Sequence, residues 1–244
     1  LTVAGNVSVD GGTIKLDGNY PTGTDNVALG NAAASALTTG SENVIIGDDA
    51  GDALTVGYMN IALGQRALSS DTQGNKTIAI GKQTLFNQNF TSPTDSFNTA
   101  VGHNAAYSTT TGQYNTVLGG QALFSNTTAS NNTAVGYQAG YSGTTAANNA
   151  WVGYQAGYSA TGNYNTGMGD RALRSMASAE KNSAFGMAAL YNNTTGSYNT
   201  GLGSSALQNN TTASNNTAVG YQAGYSNTTG TPNTAIGYQA LYTN

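Results

Sequence analysis

The chain has no cysteine, which excludes a disulfide framework and thiol chemistry alike. Prolines number 3 and histidines 1 in 244 residues. Charged side chains make up only 7% of the sequence, against about 25% for an ordinary soluble domain. None occurs from Asn104 to Tyr164, and none from Asn182 to Asn244. The net charge is −4, and the basic residues Lys15, Arg66, Lys76, Lys82, Arg171, Arg174 and Lys181 are scattered. They give neither a nucleic-acid stripe nor a polybasic patch for a membrane surface. No apolar run reaches the roughly 18 residues that a membrane-spanning helix needs. Phosphate-binding loops, the dinucleotide glycine pattern and the Gly-x-Ser-x-Gly elbow are also absent.

What the chain has instead is a short period. A glycine closes an Asn-Thr-Ala-Val-Gly-like motif at Gly30, Gly47, Gly64, Gly81, Gly102, Gly119, Gly136, Gly153, Gly169, Gly186, Gly203, Gly220 and Gly237. The spacing is 17 residues, except 21 before Gly102 and 16 before Gly169. A repeat of this length corresponds to one coil of a solenoid, so thirteen units make a single elongated body rather than separate domains. At about 4.8 Å per coil the rod is roughly 60 Å long. A composition dominated by Gly, Asn, Thr, Ser, Ala and Tyr would otherwise read as low-complexity disorder, but the strict apolar columns argue for order.

Each column has a physical meaning. The residue four before the glycine is Asn26, Asn43, Asn60, Asn98, Asn115, Asn132, Asn149, Asn165, Asn182, Asn199, Asn216 or Asn233, with Thr77 the one exception. Stacked asparagines can hydrogen-bond along a ladder and satisfy turn backbone. The next position is mostly β-branched, the one after it mostly Ala or Gly, and the last before the glycine always apolar. Such a segment reads as a short strand with no polar face, so both faces are expected to be covered and identical coils to associate side by side. Three after the glycine stands Ala in twelve units. Five after it the residue is often aromatic, as in Phe86, Tyr107, Phe124, Tyr141 and Tyr158. This region reads as a second short strand or a tight corner, and the remaining Asn, Thr, Ser and Gly as a return turn.

Two irregularities break the period: extra residues within Asn87–Phe97, including Phe90 and Pro93, and a one-residue deficit near Gly162. Solenoid insertions map to loops on one face and often carry binding. Residues 1–25 fall outside the repeat and read as a β-hairpin entry cap or connector around Asp10-Gly11-Gly12, with the solenoid over 26–244. The absence of a polar cap at the other end leads one to expect a piece of a longer protein.

The rungs NTAVGYQAGYS at 132–142 and 216–226, and NTAIGYQALY at 233–242, resemble the head repeats of trimeric autotransporter adhesins of the YadA type. They look closer still to repeats in tail-fibre proteins of marine, especially cyanobacterial, phages. The opening residues, through Gly30, look like the lead-in of such fibres. The resemblance spans essentially the whole chain, and its weight lies in thirteen motifs in register. It implies an all-β, left-handed parallel β-roll with three chains about a common axis. It also implies a structural and adhesive role in host-surface attachment on a virion tail fibre, or alternatively on a bacterial cell surface. The partners implied are two further copies of the chain and a host glycan or protein receptor, with no nucleic acid and no membrane insertion. The chain departs from the adhesins in its longer repeat and in having no neck, stalk or anchor pattern.

No residue pattern points to catalysis, and no cofactor or metal is expected. His103 occupies the variable position after Gly102 and reads as an exposed turn residue, since zinc would need further ligands. Asp48, Asp49 and Asp52, with Glu42 upstream, match neither calcium-loop spacing and read as a solvated polar face. The tyrosines Tyr137, Tyr154, Tyr221 and Tyr238, which follow motif glycines directly, are candidate receptor or glycan contacts, together with Phe90 at the insertion. Stacked Tyr columns that stabilise the roll are the competing reading. Other functions weighed are an ice-binding or carbohydrate-binding solenoid and a glycan depolymerase with a carboxylate pair in a groove. Against ice binding, the Thr column from Thr99 to Thr234 shares a strand face with the invariant apolar column and is expected to be buried.

Overall fold

Equal spacing along the chain becomes stacking in space. The computed structural model describes residues 23–243. Among them, thirteen strands of three residues each, from Val27–Leu29 to Thr234–Ile236, form one parallel sheet. Each strand pairs with those of the preceding and following coils, in register: Thr99 with Thr116 and Val101 with Leu118, for example. The fold is an all-β parallel solenoid of about 12 turns and about 17 residues per coil, with no helix among the described residues. The hairpin expected before residue 23 lies outside the described residues.

Both irregularities are absorbed at corners. Asn89 N–H still donates to Thr110 O at 2.9 Å, Gly74 pairs with Thr94, and Ile78 opposite Thr99 restores the register. The Gly74–Thr94 pairing is offset by 20 residues, so three of the four extra residues fall between Asn89 and Thr94 and the fourth between Asp95 and Asn98, and a two-stranded patch of Gly74–Asn75 and Thr94–Asp95 closes beside them. The missing residue falls between Thr161, whose N–H donates to Ala177 O, and Gly162, whose carbonyl accepts from the Asn149 side chain. Neither break disturbs the main sheet, because strand partners stay opposite one another.

The interior is narrow. The strand's middle residue points inward and is Ala in most coils, and it meets the Ala three after the glycine and the Leu four after it. Trp151 replaces that inner Ala yet is only 2% exposed. Space for the indole comes from Gly157, where a Cβ would lie 2.3 Å from the ring, and from Gly140, where it would lie 2.7 Å away. Most coils have Leu or Ala at that fourth position. Ile45 likewise faces Gly51. Core volume is thus conserved by exchange between columns, as close packing requires.

The strand faces are assigned the other way round from what the apolar column suggests. The invariant apolar residue before the glycine is on the outer face: Leu118 is 50% exposed and Ile236 69%. The Thr column shares that face, with Thr116, Thr133 and Thr234 exposed. The expectation that these threonines are buried does not hold in the single chain. With both faces apolar or small, the narrower residue goes inside because the coil has no room for more.

The segment after the glycine is a turn rather than a second strand. In every coil the second and fourth residues after the glycine have left-handed φ, as in Gln121 (φ 55°) and Leu123 (φ 47°). The two left-handed residues point their N–H groups to opposite neighbouring coils. Gln121 N–H donates back to His103 O, and Leu123 N–H donates forward to Ala139 O, both at 2.9 Å. Interior hydrogen bonds offset the roughly 1–2 kcal/mol that a left-handed non-glycine residue costs. The sequence signal for a strand here came from the apolar column, which the stacked turn needs equally.

The asparagines form a buried ladder along the return corner. Each Oδ1 accepts the backbone N–H of the next asparagine at 2.8–3.0 Å, through Asn98, Asn115, Asn132, Asn149, Asn165, Asn182, Asn199, Asn216 and Asn233. Several Nδ2 groups donate to a turn carbonyl of the coil above, as Asn98 to Gly112 and Asn199 to Ala213. At the exception, Thr77, the Asn60 Oδ1 still accepts the backbone N–H at 3.0 Å.

Candidate binding surface

Repetition turns each variable position into a vertical column of side chains, and three columns carry exposed aromatic or apolar groups. The first is the outer sheet face, with Leu29, Ile46, Leu118, Met168, Leu202 and Ile236 exposed among threonines and valines. It runs the length of the rod.

The second column follows the motif glycine. Tyr137 stacks on Tyr154 with centroids 5.9 Å apart, and Tyr221 on Tyr238 at 5.5 Å. All of these rings are exposed, and the Arg171 guanidinium lies over Tyr154 at 5.3 Å. The solenoid thus brings the candidate tyrosines together only as two separate pairs. Polar members of this column also touch: Asn31 Nδ2 and Gln65 Nε2 donate to the two Asp48 oxygens at 3.1 Å each. Those bonds hold the Asp48 carboxyl below the usual carboxylate range.

The third column precedes the Asn ladder. Phe97 stacks on Tyr114 at 5.8 Å, both exposed, and the Lys76 ammonium lies 5.1 Å from the Phe97 ring. Lys76 also reaches Asp95 in the insertion at 2.6 Å, and Tyr58 donates to the same carboxylate at 3.2 Å. The Asp95 carboxyl is consequently held low and the Lys76 ammonium high. Nothing in the period alone marks this cluster, because Tyr58, Lys76 and Asp95 lie up to 37 residues apart and meet through the insertion.

A further aromatic column is structural. Phe86, Tyr107, Phe124, Tyr141 and Tyr158 stack at 5.0–5.2 Å with planes within 9° of parallel. Arg174 takes the next rung, between Tyr158 and Tyr191. With both faces covered by neighbours, the interior rings offer only edges to solvent.

Phe90 is not a surface contact. It is 5% exposed and plugs the inserted corner. Its N–H donates to Asp71 Oδ1 at 3.1 Å, and its carbonyl accepts from Thr72 Oγ1 at 2.9 Å. Asp71, missed in the sequence, is wholly buried, also accepts from Gly74 N–H and Gln88 Nε2, and so anchors the insertion. Burial raises its carboxyl above the ordinary range despite those bonds. It occupies a position filled by asparagine in several other coils, Asn126 and Asn193 among them.

His103 is exposed on the outer surface. Asp49 pairs with Arg66 at 3.4 Å, and Asp52 accepts from Ser69 at 2.6 Å, so the acidic group is engaged by neighbouring coils. No group of three or more His, Asp or Glu among the described residues is placed to hold a metal ion. No described helix is long and apolar enough to cross a membrane. Comparison with protein-family models, with curated proteins and with solved structures gave no match.

Proposed function

We propose that this solenoid is the structural and adhesive segment of a trimeric fibre that attaches a virion tail to its host surface, without catalytic activity of its own. The observation that carries this is the outer sheet face. A stripe of Leu, Ile, Met, Val and Thr runs the length of a thirteen-stranded sheet, and a contiguous exposed apolar face of this kind marks an interaction surface. Its repeat is set by coil spacing, so the partner that matches it along its whole length is another coil stack of the same spacing: a second and third copy, wound left-handed about a shared axis. The resemblance of NTAVGYQAGYS to head and fibre repeats supports the same assembly. A β-solenoid is also an architecture typical of structural proteins. Host glycan or protein would then be met by the aromatic columns that flank the shared face.

The test is analytical ultracentrifugation at micromolar concentration, where a trimer is expected. A chain that sediments as a monomer removes the proposal. Exposure of Thr116, Thr133 and Thr234 favours one second reading, an ice-binding face, since ranked threonines stand at coil spacing on the outer sheet face. Thermal hysteresis in a cooled solution of the monomer, vanishing on Thr133→Tyr, would select it over the fibre.

A further inference from the structure

The column after the motif glycine contains one gap. Side chains there stand directly over one another, as the Asn31–Asp48–Gln65 bonds and the two Tyr pairs show. Between His103 and Tyr137 the column holds Gly120. The backbone does not require glycine here. Its φ lies outside the left-handed region, and an added Cβ would meet nothing nearer than Tyr137 Cδ2 at 3.6 Å, an ordinary contact. By contrast, a Cβ on the motif glycine Gly119 would fall 2.4 Å from Gly136 O.

The empty rung leaves one face of Tyr137 without a stacked side chain while Tyr154 covers the other, and the residue is 49% exposed. His103 stands two coils below Tyr137, about 9.6 Å at the usual strand spacing. Rings on successive coils from Phe86 to Tyr158 stack 5.0–5.2 Å apart, close to the height of one coil, so a rung without a side chain leaves the height of one further ring. A second ladder breaks at the same level. Gln155 Nε2 donates to Gln138 Oε1 and Gln138 Nε2 to Gln121 Oε1, which also accepts from Tyr137 Oη at 3.3 Å. Below Gln121 stands Asn104, one methylene shorter, and its Oδ1 is buried with no hydrogen-bond partner. No charged side chain occurs from Asn104 to Tyr164.

We infer that this notch over Gly120 binds a neutral pyranose ring, stacked on the open face of Tyr137 with His103 as the opposite wall. Amide and hydroxyl groups without formal charge suit a polyhydroxylated ring and offer nothing to balance a phosphate or carboxylate. The inference rests on the adhesive reading for its setting, and it names the ligand class and the place.

The test is saturation-transfer NMR on the full chain with the methyl pyranosides of glucose, galactose, mannose and N-acetylglucosamine at about 10 mM, where millimolar binding is visible. At least one should receive saturation from the protein. Gly120→Tyr, which supplies the missing rung, and Tyr137→Ala, which removes the face, should each reduce that transfer at least tenfold. Tyr198→Ala, an exposed ring in another column, should leave it unchanged. Gly120→Tyr is expected to keep the far-ultraviolet circular dichroism of the parent, since neither φ nor contacts oppose a side chain. Absence of transfer to any of the four sugars, or equal transfer in Gly120→Tyr, overturns the notch. Sedimentation of the same samples separates the two ideas: a trimer without sugar binding overturns the notch alone, and a monomer that binds overturns the assembly alone.

Discussion

Three Gly→Ala substitutions separate the two reasons for which a stacked coil needs glycine. At Gly136 the residue has φ of 131°, and a Cβ would sit 2.5 Å from Gly153 O and 2.7 Å from its carbonyl carbon. Both opposing atoms are backbone of the next coil, which cannot turn aside as a side chain can. Relief means moving that coil, and with it the bond from Gly153 N–H to Val135 O at 2.8 Å. Backbone strain in a sparsely populated region costs about 1–3 kcal/mol, and each weakened interior hydrogen bond about 1 kcal/mol more. Gly136→Ala should therefore lose at least about 3 kcal/mol. Gly237 has a similar φ of 120° but no atom within 4 Å of the added Cβ, so Gly237→Ala should cost only the strain, about 1–3 kcal/mol. Gly120 has neither problem, and Gly120→Ala should stabilise by about 0.4–1 kcal/mol through the unfolded chain. Urea unfolding read by the single tryptophan is well placed for this, because Trp151 lies in the strand Ala150–Val152, immediately before Gly153. If Gly136→Ala proves no costlier than Gly237→Ala, coil-to-coil contact is not what holds glycine at this column.

Trp151→Ala should cost about 3–5 kcal/mol by leaving a cavity in the narrow core, and adding Gly157→Leu should recover part of it by restoring the Ala and Leu arrangement of coils such as Ala62 with Leu68; a double-mutant cycle in urea reads the coupling. Asn182→Ala removes the acceptor of the Asn199 N–H, a 2.9 Å bond inside the ladder, and should lose about 1–3 kcal/mol in the same assay because the N–H stays buried. Asp71 gives a pH dependence of definite sign. Its folded-state carboxyl is raised by burial, so its favourable contribution is complete below the ordinary carboxylate range and is lost as pH rises through the raised value. Urea midpoints for Asp71→Asn should gain on the parent between acid and neutral pH, and a constant difference across that range would refute the assignment.

How much structure the sequence alone makes legible differs from column to column. Glycines 17 apart could only mean stacked coils, since a repeat too short to bury its own core must bury it against its neighbours. The Asn column likewise implied a ladder, because a buried amide at every coil meets only its own kind and turn backbone. The outward placement of Leu118 and Thr116 was not legible, because both strand faces are apolar or small and periodicity does not rank them. Phe90 was misplaced for a related reason. An insertion in a solenoid suggests a loop in solvent, but the neighbouring coil supplies a buried carboxylate, Asp71, to hold it. The Lys76–Asp95 cluster and the notch at Gly120 were invisible because their members are set by which residues fall above and below one another.

By itself, then, the sequence determined the solenoid, the length of its coil and the sites of its two irregularities. These follow from local periodicity, which acts within one coil and its neighbours. Tertiary structure alone decided which face looks inward, how Trp151 is accommodated by Gly140 and Gly157, and where a column is interrupted. Those outcomes depend on volume and on vertical neighbours 16 to 21 residues away, and a column read in one dimension carries neither quantity.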